Sequence, residues 1–107
     1  MNDEYFITAD DAHIKREKAK AREMRGSQWW KRKRSAGVCY YCGGKFNAME
    51  LTMDHVIPIV RGGKTVPGNL VPACKECNTK KKYLLPLEWE DYLKTLHREN
   101  RQTEDTD

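Results

Sequence analysis

The sequence lacks a long apolar run, and none approaches the roughly 18 residues that a membrane-spanning helix needs. It also lacks the pattern of a signal peptide, because residues 1–11 carry four acidic side chains and no apolar centre. Only 38% of the 107 residues are hydrophobic and 34% are charged, so the core is small. Small polar domains often depend on a metal ion or on disulfides. We therefore expect one cytoplasmic domain that makes no membrane contact.

The net charge of +4 is distributed unevenly along the chain. Residues 15–34 hold ten Lys or Arg against two Glu, a local balance of +8. Residues 88–107 hold seven acids against three bases, a balance of −4. A basic block between acidic ends favours a polyanionic partner, although a solvated helix face remains the alternative for any single residue. The residues of this block that we expect at such a partner are Lys31, Arg32, Lys33 and Arg34.

The coarse pattern divides the chain into three parts. Residues 1–35 form a basic helical extension, which we expect to break near Gly26. Residues 36–85 hold two short strands and a short helix, and they form the core. Residues 86–107 form a C-terminal helix, with Pro86 at its start, followed by an acidic tail.

Several residues of the flanking helices have expected structural roles. Thr8 is a candidate N-cap of the first helix. Trp29 and Trp30 are expected to anchor this helix on the core, with stacking on bases as the alternative. His13 and His97 match no motif and are expected on the surface. The last helix is expected to dock through an apolar face formed by Leu87, Tyr92, Leu93 and Leu96.

The four cysteines form two pairs with metal-ligand spacing, Cys39-x-x-Cys42 and Cys74-x-x-Cys77. Four thiolates complete a tetrahedral Zn²⁺ site without an open position, which is typical of a structural site. The pairs are separated by 31 residues. Doubling a loop costs only about 0.6 kcal/mol, against an apparent ~10–16 kcal/mol for structural zinc, so a folded segment fits between the pairs. A disulfide pair or a redox motif is disfavoured by the expected cytoplasmic location and by the absence of a thioredoxin-like pattern.

Polar residues suited to phosphodiester chemistry lie between and directly after the cysteine pairs: Asp54, His55, Asn69 and Asn78. Hydrolysis of a phosphodiester needs an activated water, and imidazole titrates near neutrality. It also needs charge stabilisation, which a divalent cation held by oxygen ligands supplies. Asp54 offers a carboxylate and Asn78 an amide oxygen. The alternatives are a surface hydrogen-bonded pair at Asp54 and His55, a turn residue at Asn69 and a helix cap at Asn78.

At these residues the chain resembles the HNH endonucleases in the version with a four-cysteine zinc site. The resemblance covers residues 39–83 and is carried by the first cysteine pair and by "DHVIP", "RGG", "GNLVPAC" and "CKECNTKK". It implies an α+β fold: a ββα-metal (HNH/His-Me finger) core with a structural four-cysteine zinc site and flanking helices.

The resemblance also implies a role for each polar residue of the motif. His55 is expected to be the general base, and Asp54 and Asn78 are expected to bind one catalytic divalent metal. Asn69 is expected to brace the loop and so to orient His55. Asn78 stands where the family's name would give His, and its amide oxygen favours Mg²⁺ or Mn²⁺ over softer ions.

The implied function is metal-dependent cleavage of DNA, with nicking that leaves 5′-phosphate and 3′-hydroxyl ends. Two alternatives remain: a non-catalytic zinc-stabilised DNA-binding module, and a subunit of a restriction or phage-packaging system. Possible assemblies are a homodimer and a larger nuclease complex. Further residues expected at DNA flank the Gly-Gly turn or follow Asn78, namely Arg61, Lys64, Lys80, Lys81 and Lys82.

Overall fold

A two-stranded antiparallel sheet lies at the centre of the fold. The protein is described here by a computed structural model that covers the backbone of residues 9–105 and the side chains of residues 9–96. Strand β1 spans Thr52–His55 and strand β2 spans Leu70–Ala73, and Asp54 pairs with Val71 in their register. All residues of β2 are buried, whereas burial varies along β1. The sheet therefore keeps β2 inside the domain, while part of β1 reaches the surface.

A short helix follows β2 directly and completes a ββα unit. Helix α3 spans Lys75–Lys81 and lies against β1. Its N-cap is Cys74, whose Sγ accepts a hydrogen bond from the Cys77 backbone N–H at 3.4 Å. The helix ends where Lys82 adopts a positive φ of 40°. The mixed helix and strand architecture that the sequence predicts is thereby confirmed.

The N-terminal extension contains two helices rather than one. Helix α1 spans Asp11–Arg25 and helix α2 spans Gln28–Arg34, so the predicted break near Gly26 is confirmed. The N-cap of α1 is Asp10, whose carboxylate accepts from the backbone N–H of the third helical residue at 2.8 Å. The expected cap, Thr8, lies outside the described residues.

Helix α2 is anchored by one of its two tryptophans. Trp30 is 1% exposed, and α2 lies against β2. Trp29 is half-buried, and the ammonium of Lys33 lies 5.9 Å from its ring centroid. The anchoring role predicted for the pair therefore holds for Trp30.

Helix α1 packs against a 3-10 turn at Ile59–Arg61, which lies in the segment that follows β1. The Ala9 backbone N–H donates to the Val60 carbonyl at 2.7 Å. His13 is half-buried, and its Nε2 lies 3.0 Å from the Gly63 carbonyl oxygen. The expectation that His13 is a surface residue is therefore wrong, because it contributes to this packing. His97 lies beyond the described side chains.

Helix α4 spans Pro86–Asp105 and docks through an aromatic side chain. Trp89 is 8% exposed and contacts the ring of Tyr41 edge to face, with 5.6 Å between centroids. Leu87, which the sequence placed on the docking face, is 75% exposed, so that part of the prediction is wrong. Among the helices in the described part of the chain, none has the length and apolar character needed to cross a membrane.

Glu17 joins α1 to the core through a buried carboxylate. It is 2% exposed, and its Oε1 accepts from the Thr65 backbone N–H at 2.6 Å. Its Oε2 lies 3.7 Å from Arg16 Nε and 3.5 Å from Lys20 Nζ, two side chains that reach solvent. The hydrogen bond from Thr65 lowers the pKa of Glu17, helped by the charge of Lys20 and opposed by burial.

We predict that Glu17→Gln lowers the free energy of unfolding by about 1–3 kcal/mol near pH 7, because the variant has no charged acceptor at this buried position. A lowered pKa means that the stabilisation is present above the ordinary value of 4.5 and disappears as pH falls through the folded-state pKa. Urea unfolding of both proteins at several pH values, down to about pH 3, measures the difference. Both proteins keep the same cysteines, so the difference isolates Glu17.

The matched control for this prediction is Glu23→Gln, which changes an exposed carboxylate on the same helix. It should change stability by less than about 0.5 kcal/mol. If the difference in unfolding free energy between wild type and Glu17→Gln stays constant down to low pH, the charge of Glu17 does not hold α1 in place.

Candidate functional site

The four cysteines converge on one point in the structure. The first pair lies in a tight turn, closed by a hydrogen bond from the Gly43 backbone N–H to the Cys39 carbonyl at 2.9 Å. The second pair lies at the N-terminus of α3, with Cys74 as its cap. All four Sγ atoms lie within 4.8 Å of one another. This cluster can hold one metal ion such as zinc.

The thiols of the cluster differ in how readily they ionise. Burial acts to raise the pKa of Cys39, but hydrogen bonds from the backbone of Cys42, Cys74 and Tyr41 outweigh it and lower the pKa to about 7. Burial and the neighbouring thiols raise the pKa of Cys77 well above its ordinary value. Four thiolates in one place therefore require a cation among them, which fits a metal site.

A cleft of about 210 Å³ lies beside β1 and is shared by three separate segments. Asp54 and His55 line it from the strand, and Lys18 lines it from α1. Lys82 and Tyr83 line it from the residues after α3. Two adjacent acid–base residues and two lysines thus meet in one opening. Nothing in the sequence distinguishes Lys18 from its neighbours in the long basic run of residues 15–34.

Asp54 is buried and held by two partners. It is 6% exposed, and its Oδ2 accepts a hydrogen bond from the Tyr41 hydroxyl. Lys81 Nζ lies 3.5 Å from the same oxygen, and Lys81 is fully buried. Burial raises the pKa of Asp54, while the Tyr41 hydrogen bond and the Lys81 charge act to lower it. Both contacts go to Oδ2, and no described residue donates a hydrogen bond to Oδ1.

Tyr41 and Lys81 fix the end of β1 as well as the Asp54 side chain. Burial raises the pKa of Tyr41 far above its ordinary value, so its hydroxyl stays protonated and donates. Lys81 Nζ also donates to the His55 carbonyl at 3.3 Å and lies 5.6 Å from the Tyr41 ring centroid. The sequence indicated neither contact, because each joins residues far apart in the chain.

His55 is half-buried and makes a specific contact through its ring. Its Nε2 lies 2.9 Å from Thr65 Oγ1. Burial lowers the pKa of His55, opposed by the charge of Asp54. The neutral imidazole, which is the form that accepts a proton, is therefore favoured near neutral pH.

Asn78 lies on α3 against the strand face that carries Asp54. Its Nδ2 donates to Thr52 Oγ1 at 3.0 Å. Thr52 and Asp54 are two residues apart on β1, so their side chains point to the same face. Because the amide nitrogen is used as a donor, the amide oxygen is the atom available as a ligand. The carboxylate of Asp54 and the amide of Asn78 both offer oxygen atoms, the type of atom that Mg²⁺ prefers in proteins.

Asn69 ties together the two ends of the loop that follows His55. Its Oδ1 accepts from the Ile57 backbone N–H at 2.8 Å. Its Nδ2 donates to the Ile57 carbonyl at 3.0 Å and to the Lys64 carbonyl at 2.9 Å. The loop also needs Gly63, since a Cβ there would lie 1.7 Å from the Ile57 carbonyl oxygen. The asparagine that the motif singled out therefore holds this loop through its side chain.

The basic residues singled out by sequence lie in different environments. Arg61 binds the Glu88 carboxylate at 3.2 Å and so ties the loop to α4. Lys81 is covered completely, and we leave it out of the proposed DNA surface. Lys80 is exposed on α3 and pairs with Glu76 at 3.2 Å. The remaining residues are exposed except for the half-buried Arg34, and they are Lys31, Arg32, Lys33, Arg34, Lys64 and Lys82.

Comparison with known proteins identifies the core. Residues 39–83 match the model of the HNH endonuclease family. No curated protein matches the chain. The matched segment contains both cysteine pairs, β1, β2 and α3, whereas α1, α2 and α4 lie outside it. The resemblance inferred from the motifs is thereby confirmed.

We predict that the purified protein carries one tightly bound metal ion at the cysteine cluster. Cys42→Ser should remove it and destabilise the fold by several kcal/mol, because binding energy at such a site is folding energy. Native mass spectrometry measures the bound metal, and thermal unfolding with and without a chelator measures its contribution. Thr79→Ser, an exposed change on α3, is the control that should retain the metal. A metal-free wild type whose melting curve ignores the chelator would contradict the prediction.

Proposed function

We propose that the protein is a metal-dependent DNA endonuclease that nicks its substrate, and the match of residues 39–83 to the HNH endonuclease family supports this proposal. The observation that carries the proposal is the cleft in which Asp54 and His55 lie beside Lys18 and Lys82. A general base, an oxygen atom that can hold a metal ion, and positively charged side chains are groups that promote phosphodiester hydrolysis.

His55 is proposed to take a proton from the attacking water. Its burial favours the neutral imidazole, and its contact with Thr65 restrains the ring. Asn69 supports this role, because its three hydrogen bonds fix the loop that begins after His55. A restrained base loses less activity to misorientation than a mobile one.

Asp54 and Asn78 are proposed to hold a divalent metal, Mg²⁺ or Mn²⁺, through carboxylate and amide oxygens. When bound, such an ion supplies positive charge that stabilises the phosphate and the leaving oxygen. Tyr41 and Lys81 restrain the Asp54 carboxylate from one side, through Oδ2. The resulting products, a 5′-phosphate and a 3′-hydroxyl, are those that the family resemblance implies. The four-cysteine cluster is proposed to hold a separate structural Zn²⁺.

DNA is proposed to bind through exposed basic side chains around the cleft and on α2. Lys18 and Lys82 line the opening, where they can neutralise the phosphates on each side of the scissile bond. Lys64 and Lys80 are exposed in the loop and on α3, and α2 adds Lys31, Arg32, Lys33 and Arg34. Binding of this kind depends on salt and carries little sequence information.

A second candidate function is a zinc-stabilised DNA-binding module without catalysis. The specific observation in its favour is Lys81, whose ammonium lies 3.5 Å from the Asp54 carboxylate and gives it a partner without any metal. The presence of His55 in the same cleft favours the nuclease, because a binding module has no need of a restrained base there.

We predict that His55→Ala lowers the rate of plasmid nicking by about 10²–10⁴-fold, because the variant has no general base. DNA affinity and zinc content should stay close to those of the wild type. Asn78→Ala should instead raise the Mg²⁺ concentration needed for half-maximal activity. The measurement is nicking of supercoiled plasmid across a Mg²⁺ titration, with zinc quantified for every variant.

Two outcomes would decide against parts of this proposal. A folded, zinc-loaded His55→Ala protein that nicks at the wild-type rate would exclude His55 as the base. A wild type that binds DNA but is inert with both Mg²⁺ and Mn²⁺ would favour the binding module.

We further predict that the triple variant Lys31→Gln, Arg32→Gln, Lys33→Gln has a flatter salt dependence of DNA affinity. The slope of log K against log salt should decrease by up to about 0.9 for each phosphate that the variant no longer neutralises. Arg34 is retained because it is half-buried and donates to the Met49 sulfur at 3.2 Å. Fluorescence anisotropy with a labelled duplex at several salt concentrations measures the slope.

The control for the α2 variant removes the same charge elsewhere, through Lys45→Gln, Lys75→Gln and Lys94→Gln, all exposed. An equal decrease in both triple variants would show that net charge matters and that α2 does not contact DNA.

A further inference from the structure

Helix α1 lies outside the segment that matches the family, yet it contacts the residue that binds the His55 ring. We propose that Thr65, held by Glu17 of α1, is a positioning residue that sets the tautomer of His55. Nε2 then carries the hydrogen, and Nδ1 is the nitrogen that accepts the proton from water. This inference rests on the proposed function in so far as His55 is the base.

The hydroxyl of Thr65 has a single hydrogen, and the structure gives that hydrogen a partner. Thr65 Oγ1 lies 3.0 Å from the Glu17 backbone carbonyl oxygen. A carbonyl oxygen only accepts, so the Thr65 hydroxyl must be the donor in this contact. The hydroxyl therefore has no hydrogen left for a second donation.

The contact with His55 must then run in the other direction. Thr65 Oγ1 lies 2.9 Å from His55 Nε2 and can only accept there. Nε2 is consequently protonated. In a neutral imidazole the other nitrogen carries no hydrogen, so Nδ1 holds the free electron pair that a general base uses.

Thr65 is held firmly enough to impose this choice. It is 6% exposed, and its backbone N–H donates to Glu17 Oε1 at 2.6 Å. One residue of α1 therefore receives both the backbone and the side-chain hydrogen bond of Thr65. The preceding residue is fixed from another direction, since the Lys64 carbonyl accepts from Asn69 Nδ2 at 2.9 Å. These contacts restrict the hydroxyl to one position next to the His55 ring.

The consequence is that α1 completes the active site. Without the Glu17 carbonyl, the Thr65 hydroxyl would be free to donate to Nε2 instead, and the hydrogen of the imidazole would move to Nδ1. A base with the wrong nitrogen exposed is ineffective even when its position is unchanged.

The test compares Thr65→Val, which keeps the shape but removes the hydroxyl, with Thr65→Ser, which keeps the hydroxyl. The zinc-loaded full chain is labelled with ¹⁵N-histidine, and long-range ¹H–¹⁵N correlations at about pH 8 report which ring nitrogen of His55 is protonated. We expect the Nε2–H form in the wild type, a shift toward Nδ1–H in Thr65→Val, and recovery in Thr65→Ser.

Single-turnover nicking provides the second readout. Thr65→Val should lower the cleavage rate by about 10- to 100-fold, as for other hydrogen-bond partners of active-site groups, while the DNA concentration for half-saturation stays the same. Thr65→Ser should restore most of the wild-type rate. A merely structural role would also change DNA affinity and would leave the tautomer unaltered.

Several results would overturn the inference. Finding the Nδ1–H tautomer in the wild type would by itself overturn the inference, even if Thr65→Val fails to fold. An unchanged tautomer in a folded Thr65→Val protein would also overturn it. If the tautomer responds as expected but the wild type cleaves no DNA with any divalent ion, Thr65 still positions His55, and the proposed nuclease function is what fails.

Discussion

The convergence of two cysteine pairs is the constraint on which the rest of the structure depends. The four Sγ atoms lie within 4.8 Å of one another although 31 residues separate the pairs. Cys39 and Cys74 are buried together with Leu51 and Ala73, so the cluster forms part of the apolar core. A chain with so few apolar residues cannot enclose a large core, and a metal ion held by the four cysteines would replace part of that burial by cross-linking the chain. Both strands lie between the two pairs in the chain, and α3 begins at the second pair.

The cleft beside β1 is organised by buried polar contacts around this core. Asp54 and Lys81 are buried beside each other, and Glu17 is buried beneath exposed basic residues. Each of these groups has a hydrogen-bonded partner, as burial of charge requires. Such contacts fix atoms more precisely than apolar packing does, because a hydrogen bond depends on distance and direction. The cleft therefore keeps its shape in a domain with little apolar interior.

The sequence predicted the parts of this molecule that depend on local spacing. The cysteine pairs, the ββα order and the break near Gly26 follow from neighbouring residues. It did not predict the contact of Glu17 with Thr65, which joins residues 48 positions apart. Helix α1 has few apolar residues on the side that faces the core, and it packs through polar side chains such as His13. Apolar periodicity in the sequence cannot reveal packing of this kind. The sequence did not indicate Trp89 as the anchor of α4, because its partner, Tyr41, is far away in the chain.

The central claim is that Asp54 and Asn78 bind a catalytic divalent ion beside His55, and paramagnetic broadening by Mn²⁺ tests it most directly. Mn²⁺ is added in small steps to the zinc-loaded, ¹⁵N-labelled protein, and the decrease of each backbone amide signal is recorded. The account predicts that signals from Asp54, His55 and Asn78 disappear first, and that Asp54→Asn abolishes this local effect. Broadening centred on the acidic residues of α4, or no localised broadening, would contradict it.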